Sequence, residues 1–540
     1  MLRTLATGML LLSVLAPAVS ADWTSFHGDD KKTGFQSGTD YQVYKDVWWN
    51  VKVNSTIESS PVVSAGIVVI GGWDKVVRAF DAASGAPKWT YTMTDKIVGS
   101  PAISSGRVYA VDVKGALVSL DLLSGKKYAE AAVGATLASV TAHEGKLFIG
   151  TEAGEMKAFD VESSDSVITL LWTFALASFK PDSGTVACVH PKGQIRAAAA
   201  VHGGLVYFGA MNNYVYAINE EGESDDTTRA QWFNLTGDII LTAPSIDSTN
   251  NNVYFASYDG KVRSFSITRP NPATCVAANR LPVWTYSAPS NAQIRSSPAV
   301  DGTRIYFGTN SGHVIAISTS GAELWTRGTG NIVVSSPAVS NGVVVVGSDD
   351  KNVYWLSATN GSVLRQFASE SVLKSSPALD GARAFVASFD GTIYMFGPQI
   401  PTRPDLAVTS IAIASDGISV TVKNQGDAAS TNTTVRLLKG GTFVANVDLA
   451  AIDAGQSKTV TFTLSLTASS AFKAIADPDG LVTESVESNN EKSQTLAPPV
   501  TVPPTTTEDK GGGGFKIPAV GLAPTLALLA LAALAIRRRR

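Results

Sequence analysis

Short runs in which small and apolar residues alternate succeed one another along most of the chain, each closed by a glycine or polar turn. A period of two with such punctuation predicts β-strands rather than helices. The runs repeat about every 40 residues, and the clearest copies start at Ser59-Ser60-Pro61, Gly99-Ser100-Pro101, Ser296-Ser297-Pro298, Ser335-Ser336-Pro337 and Ser375-Ser376-Pro377. Weaker copies start at Ala138-Ser139-Val140, Ala197-Ala198-Ala199 and Thr242-Ala243-Pro244. Each start leads through a turn to a strand such as 107–111, a tight turn, and a second strand such as 116–120. Most copies then reach an Asp-x-x-Ser-Gly turn and an aromatic residue: Trp89 in the first, then Tyr128, Trp172, Trp232, Trp284 and Trp325. One copy thus predicts four short antiparallel strands, which cannot bury both faces alone and must stack on neighbours.

Four-stranded units of this spacing, most with a tryptophan near the end, resemble the quinoprotein-type (PQQ-like) propeller repeat over roughly Trp23 to Phe396, with eight copies. The opening segment with Trp23, Phe26, Thr33 and Gly34 is similar to the first segment of that family. The resemblance implies an all-β fold, an eight-bladed β-propeller over 22–399. The eighth copy has three strands, ending at 393–396, while an orphan strand, Val47 to Val53, precedes the first copy. Joining the two completes blade eight and removes exposed edges.

From Pro404 the 40-residue period gives way to alternating strands such as 418–422, 434–438 and 459–464, which predict an Ig-like β-sandwich over 403–497. Asn424-Gln425-Gly426, Gly455 and the run from Asp477-Pro478-Asp479-Gly480 through Glu484 to Asn489-Asn490 resemble the CARDB cell-adhesion-related domain. Asp477, Asp479, Glu484 and Glu487 lack EF-hand spacing, so a solvated turn is expected rather than a calcium site.

The two ends change the picture from a soluble protein to an exported one. Arg3, the apolar run from Leu10 to Leu15 and Val19-Ser20-Ala21 read as a signal peptide over 1–21. No cysteine lies near the cut to take a lipid. At the other end, a Pro/Thr/Gly-rich stalk (498–516) precedes the uncharged stretch Ile517 to Ile536, long enough for a transmembrane helix, and Arg537 to Arg540 hold the end of 517–540 in the cytoplasm. This tail resembles archaeal C-terminal sorting signals of the PGF-CTERM kind, though the Pro-Gly-Phe tripeptide is absent. The expected location is the extracellular face of the cell membrane. Outside the cell, Asn54, Asn234, Asn360 and Asn432 are sequons open to N-glycosylation. A net charge of −3 argues against nucleic acid.

Candidate chemistry is sparse. Quinoprotein dehydrogenases hold their quinone against adjacent cysteines beside calcium, but this chain has only Cys188 and Cys275, so no catalytic residue and no cofactor is expected, PQQ with calcium included. The two cysteines lie in the longest insertions, where a mutual disulfide and free thiols are both open readings. His27, His143, His190, His202 and His313 are scattered over different repeats and read as turn or surface residues; no metal site is expected. The residue three before the Pro position begins the innermost strand and faces the channel: Glu58, Val98, Leu137, Arg196, Leu241, Arg295, Val334 and Lys374 in turn. Lys374 and Glu58, on neighbouring blades, are expected to pair, leaving Arg196 and Arg295 to meet an anion or a carbohydrate acid.

Two functions follow. One is a membrane-anchored extracellular scaffold or adhesin binding a cell-surface protein or glycan, as the further resemblance to the non-catalytic propeller lipoprotein of outer-membrane protein assembly implies. The other is an anchored PQQ-dependent oxidoreductase.

Overall fold

The computed structural model describes residues 22–38, 41–43, 46–163, 166–176, 192–221, 230–268, 280–397, 404–426, 428–482, 484 and 489–498. Cys188, Cys275, the signal segment and the stretch 499–540 lie outside them. No helix among the described residues is long and apolar enough to cross a membrane. The chain divides into two units, one ending at Ile400 and one starting at Pro401.

Among the described residues the first unit contains eight antiparallel four-stranded blades, to one of which Phe35–Gln36 adds a fifth, parallel strand; seven run from innermost to outermost strand in chain order, and the eighth takes its outermost strand, Val47–Lys52, from before the first blade. Blade one is Val62–Ser64, Ile67–Gly71, Val76–Asp81 and Pro87–Thr92. Its second strand is buried on both faces, as a strand between two stacked sheets must be, and its outermost strand is mostly exposed.

The repeated serines explain how the blades join. In blade one the first serine stays within its sheet: Ser59 Oγ donates to Gly71 O (2.8 Å) and accepts Gly71 N–H (3.0 Å). The second serine links blades. Ser100 Oγ accepts Ser60 N–H (2.8 Å), Ser139 Oγ accepts Ser100 N–H (2.9 Å), and Ser297, Ser336 and Ser376 continue the series from Ala243, Ser297 and Ser336 at 2.9 Å each. Ser376 N–H then donates to Ser60 Oγ (2.9 Å), so the series passes from the last blade to the first. It breaks where Ala198 and Ala243 replace serine, and there Thr141 Oγ1 reaches Ala199 O (2.8 Å) instead. We expect Ser60→Ala to leave the Ser376 N–H buried without a partner and to cost about 1–3 kcal/mol in urea unfolding.

The tryptophans make the outer joints. Trp89 Nε1 donates to Leu122 O of blade two (2.8 Å), and Trp172, Trp284 and Trp325 donate likewise to Glu220, Thr319 and Ala358 at 2.9–3.0 Å. The glycine of the Asp-x-x-Ser-Gly turn is needed here: it has positive φ, and a Cβ on Gly125 would lie 2.6 Å from the Trp89 ring. Ring closure follows the same rule. Val47–Lys52 pairs with Thr392–Phe396 to complete blade eight, and Trp49 donates to Ala82 O of blade one (3.2 Å).

One expectation about the joints fails. Tyr128 is not the counterpart of these tryptophans, because the outermost strand carries a bulge: Trp89 pairs with Ala79, and the equivalent partner of Ser119 is Ala129. Tyr128 is the bulge residue and faces outward, under the Arg107 guanidinium at 4.3 Å.

The second unit is a sandwich of two sheets. Leu406–Ala414, Gly417–Asn424 and Ser457–Phe462 form one; Thr442–Leu449, Thr433–Lys439, Ser470–Ala476 and Glu491–Leu496 form the other. Val420, Val435, Leu437, Phe462 and Phe472 meet between them. Asp477 is buried rather than solvated. Its carboxylate accepts the Thr433 hydroxyl (2.5 Å) and the N–H groups of Leu481 (3.0 Å) and Val482 (2.8 Å), which makes Asp-Pro-Asp-Gly a structural turn.

Candidate functional site

Each blade contributes one residue from the start of its innermost strand to the central channel. All eight positions named from the repeat line one cavity of about 150 Å³, with Phe26 among its walls. Phe26 belongs to the N-terminal segment, which crosses the far ends of the innermost strands. Carbonyls of Trp23, Thr24, Asp30, Lys31, Thr33 and Gly34 accept N–H groups from Val63, Ile103, Val201, Ile246, Val300 and Val339 at 2.7–3.0 Å. The segment therefore closes one end of the channel.

Two histidines fasten this plug, contrary to the surface reading. His27 is buried, with Nδ1 2.8 Å from Lys32 O and Nε2 2.9 Å from Pro337 O. Burial lowers its pKa to about 4, so the ring is neutral at pH 7. Gly34 lies against it at φ +61°, where a Cβ would sit 2.4 Å from Nε2. His143 Nδ1 meets Asp30 at 2.5 Å, and that hydrogen bond raises the imidazole pKa. Lys32, fully buried, donates to Ser25 Oγ (2.8 Å) and Asp29 O (3.0 Å), and burial lowers its pKa to about 8.

The charges at the channel's open end are arranged differently from the expectation. Arg196 is engaged: Nε and Nη2 form two hydrogen bonds to Glu152 (2.8 and 2.7 Å). Among the ion pairs of the described residues none joins Glu58 to Lys374; the Lys374 ammonium lies 4.8 Å over the Phe389 ring. Arg295 is exposed, and its charge acts with Lys374 on Asp349, whose carboxyl is nevertheless raised by burial.

The partners of these charges form a second ring that the sequence reading missed. They follow the channel residue by fifteen positions in seven copies (58 to 73, 98 to 113, 137 to 152, 196 to 211, 295 to 310, 334 to 349, 374 to 389) and by seventeen in the fifth (241 to 258). In each, the backbone N–H donates to the carbonyl two residues before the channel residue, as Trp73 does to Thr56 O (3.0 Å) and Phe389 to Val372 O (2.9 Å). That constant offset was available as a signal.

Across blades eight, one and two this outer ring becomes a continuous strip. Phe389 meets Trp73 edge-on at 5.9 Å, Lys374 lies over the first ring and Lys96 over the second, at 4.8 and 4.4 Å. Three of the neighbouring acids are already paired: Asp390 with Lys52 (2.7 Å), Asp95 with Lys114 (3.0 Å), Asp74 with Arg78. Two ammonium groups on a half-exposed aromatic pair favour an anionic group beside an apolar one.

Of the sequons, Asn54, Asn360 and Asn432 are exposed. Asn234 is buried, and its Nδ2, the atom that would carry the sugar, donates to Arg280 O (2.9 Å). The folded chain does not offer it.

A closed ring of eight four-stranded blades with tryptophan joints defines the quinoprotein-type propeller class. Residues 40–224 and 273–399, more than half of the chain, match the family described as outer membrane protein assembly factor BamB, and the chain belongs to that family. Residues 403–494 match the CARDB family. The chain is 23% identical to the outer membrane protein assembly factor BamB of Yersinia pestis over 345 residues, 59% of this chain and 79% of that one. It is 26% identical to the 1-butanol dehydrogenase (cytochrome c) of Thauera butanivorans over 140 residues, 23% of this chain and 20% of that one. The crystal structure of BamB from Moraxella catarrhalis superposes with a TM-score of 0.52 at 15% identity, covering 65% of this chain and 99% of that one; this likeness concerns the fold alone.

Proposed function

We propose that this protein is an exported, surface-associated interaction scaffold without catalytic chemistry, whose propeller receives an acidic segment of a partner protein at the open channel mouth. The observation that carries the reading is the strip Lys374–Phe389–Trp73–Lys96, set at the end of the channel that the N-terminal segment leaves open. The likeness to an assembly factor supports a protein partner over a glycan. In this reading the CARDB sandwich is a spacer, the C-terminal stretch an anchor, and the face outside the membrane the place of work.

The oxidoreductase reading has one observation in its favour, the partial likeness to a butanol dehydrogenase. Against it, a cavity of about 150 Å³ falls below the ~300–1,000 Å³ usual for ligand pockets. Calcium takes about six to eight oxygens, whereas Glu58 is the one carboxylate among the lining residues. These residues do not fit a quinone with its calcium.

The test is binding of poly-L-glutamate, followed by tryptophan fluorescence, with Trp73 as the half-exposed reporter. We expect saturable binding that the double variant Lys96→Ala/Lys374→Ala weakens about tenfold or more and that added salt weakens in both. Equal affinity in the double variant overturns the site. A rise in melting midpoint with PQQ and calcium, which a ligand bound only by the folded chain must produce, overturns the non-catalytic reading instead. Binding of polygalacturonate in place of poly-L-glutamate points to a glycan.

A further inference from the structure

The serines that link the blades leave one capacity unused. A serine hydroxyl has a hydrogen to donate as well as lone pairs to accept with. The first serine of a repeat can use that hydrogen inside the protein: Ser59 Oγ donates to Gly71 O (2.8 Å) and Ser296 Oγ to Ser335 O (3.0 Å). The second serine does not. Ser297, Ser336, Ser376, Ser60, Ser100 and Ser139 each accept a backbone N–H from the preceding blade, and none donates its hydroxyl hydrogen to an acceptor among the described residues. All six line the central cavity, and all but Ser139 are at most 4% exposed. They form an arc over consecutive blades, from six through the closure to three, while Ala198 and Ala243 hold the same place in blades four and five. Buried hydroxyls that face one cavity without an acceptor call for an occupant that supplies it.

The layers on either side say what that occupant is. Toward the mouth, two residues earlier in their repeats, stand Glu58, Arg196, Arg295 and Lys374; on the other side Phe26 and the N-terminal segment close the channel. Glu152 already neutralises Arg196, which leaves Glu58 as one acid against Arg295 and Lys374 in the lining. Asp349, on which both cations act, belongs to the outer ring and lies outside the lining. Positive charge over a layer of hydroxyl donors suits a species that only accepts, and charge makes each such hydrogen bond stronger. Water alone fills the space but brings hydrogens of its own and no charge. At ~15 Å³ for each water, the cavity of about 150 Å³ has roughly ten such positions, enough for a small anion and a few waters.

We propose that the channel holds a small oxyanion between the serine arc and the two cations Arg295 and Lys374. Free phosphate or sulfate offers this chemistry, and so does a carboxylate side chain of a segment resting at the mouth. The site is distinct from the aromatic strip: Trp73, Lys96 and Phe389 are not among the residues that line the cavity, and Lys374 is the one residue that both use. It stands or falls separately from what the strip binds.

The test is calorimetric titration of the exported chain with sodium phosphate and with sodium sulfate at constant ionic strength. Saturable binding of about one anion per chain is expected. Arg295→Ala, at an exposed position, should keep the fold and weaken binding about tenfold. The pair Ser297→Ala/Ser336→Ala should weaken it by a similar factor; alanine already stands at this place in blades four and five, and circular dichroism checks the fold. Should the pair fail to fold, Ser139→Ala, at the half-buried end of the arc, takes its place. Absence of saturable binding by the parent chain overturns the site, as does unchanged affinity in the folded variants. Poly-L-glutamate separates the sources. A polymer affinity that falls with the serine variant puts a partner's carboxylate in the arc, whereas one indifferent to it leaves the arc to a free anion. Failure of the polymer to bind at all overturns the strip and leaves the oxyanion site standing.

Discussion

Trp49→Ala is expected to lower the stability of the propeller by about 3–5 kcal/mol, the range for truncating a buried tryptophan. The side chain is 8% exposed, lies against the Gly85 turn, tilts on Phe385 at 5.9 Å and donates to Ala82 O. Its loss removes apolar burial and one hydrogen bond at the joint where the first and last parts of the propeller meet. The equivalent change at Trp325 removes a similar contact between blades already adjacent in sequence. Urea unfolding followed by circular dichroism distinguishes the two. Trp49→Ala should also lower the slope, because a ring opened at that joint exposes surface before global unfolding. An unchanged slope with a loss under 1 kcal/mol would show that the serine series alone closes the ring.

Trp23→Ala is expected to cost a similar amount, about 3–5 kcal/mol, and in addition to loosen the floor of the channel. Trp23 is 1% exposed, exchanges both backbone hydrogen bonds with Val63 (2.9 and 2.8 Å) and covers Gly28. It is the first anchor of the plug, so its loss frees Ser25 to Gly28 and with them Phe26. Hydrogen exchange checks this directly: amides of Ile103, Val201 and Val300, which donate to the plug, should lose protection ahead of the second strands of their blades. Uniform loss of protection across all strands would mean that the segment is integral to the ring rather than laid over it.

The blades and their number were legible because each repeat must bury the same two faces, which holds one pattern in place eight times. The channel residues were legible for the same reason, since a fixed offset from the Pro position is a fixed place in the blade. What was not legible was who partners whom across blades. Arg196 meets Glu152 from another repeat, and Lys374 lies on Phe389 rather than Glu58, because the partners come from a turn fifteen residues on and belong to a second ring. Tyr128 misled because aromatic type was read where register decides: a bulge moves the inward position one residue along, to Ala129. The histidines misled because their partners, Lys32, Pro337 and Asp30, are remote in sequence or hidden in a segment with no repeat of its own.

The union of Val47–Lys52 with Thr392–Phe396 also sets an order in time. As the chain leaves the ribosome or a membrane pore from its N-terminus, that early strand emerges long before its partner. Seven blades can stack as they appear, but the early strand and Trp49 must wait with their bonding edge unpaired until residue 396 arrives. A chain cut short before that point would keep a sticky edge at each side of the gap, so that quality control, or a second truncated copy, has a definite place to seize it.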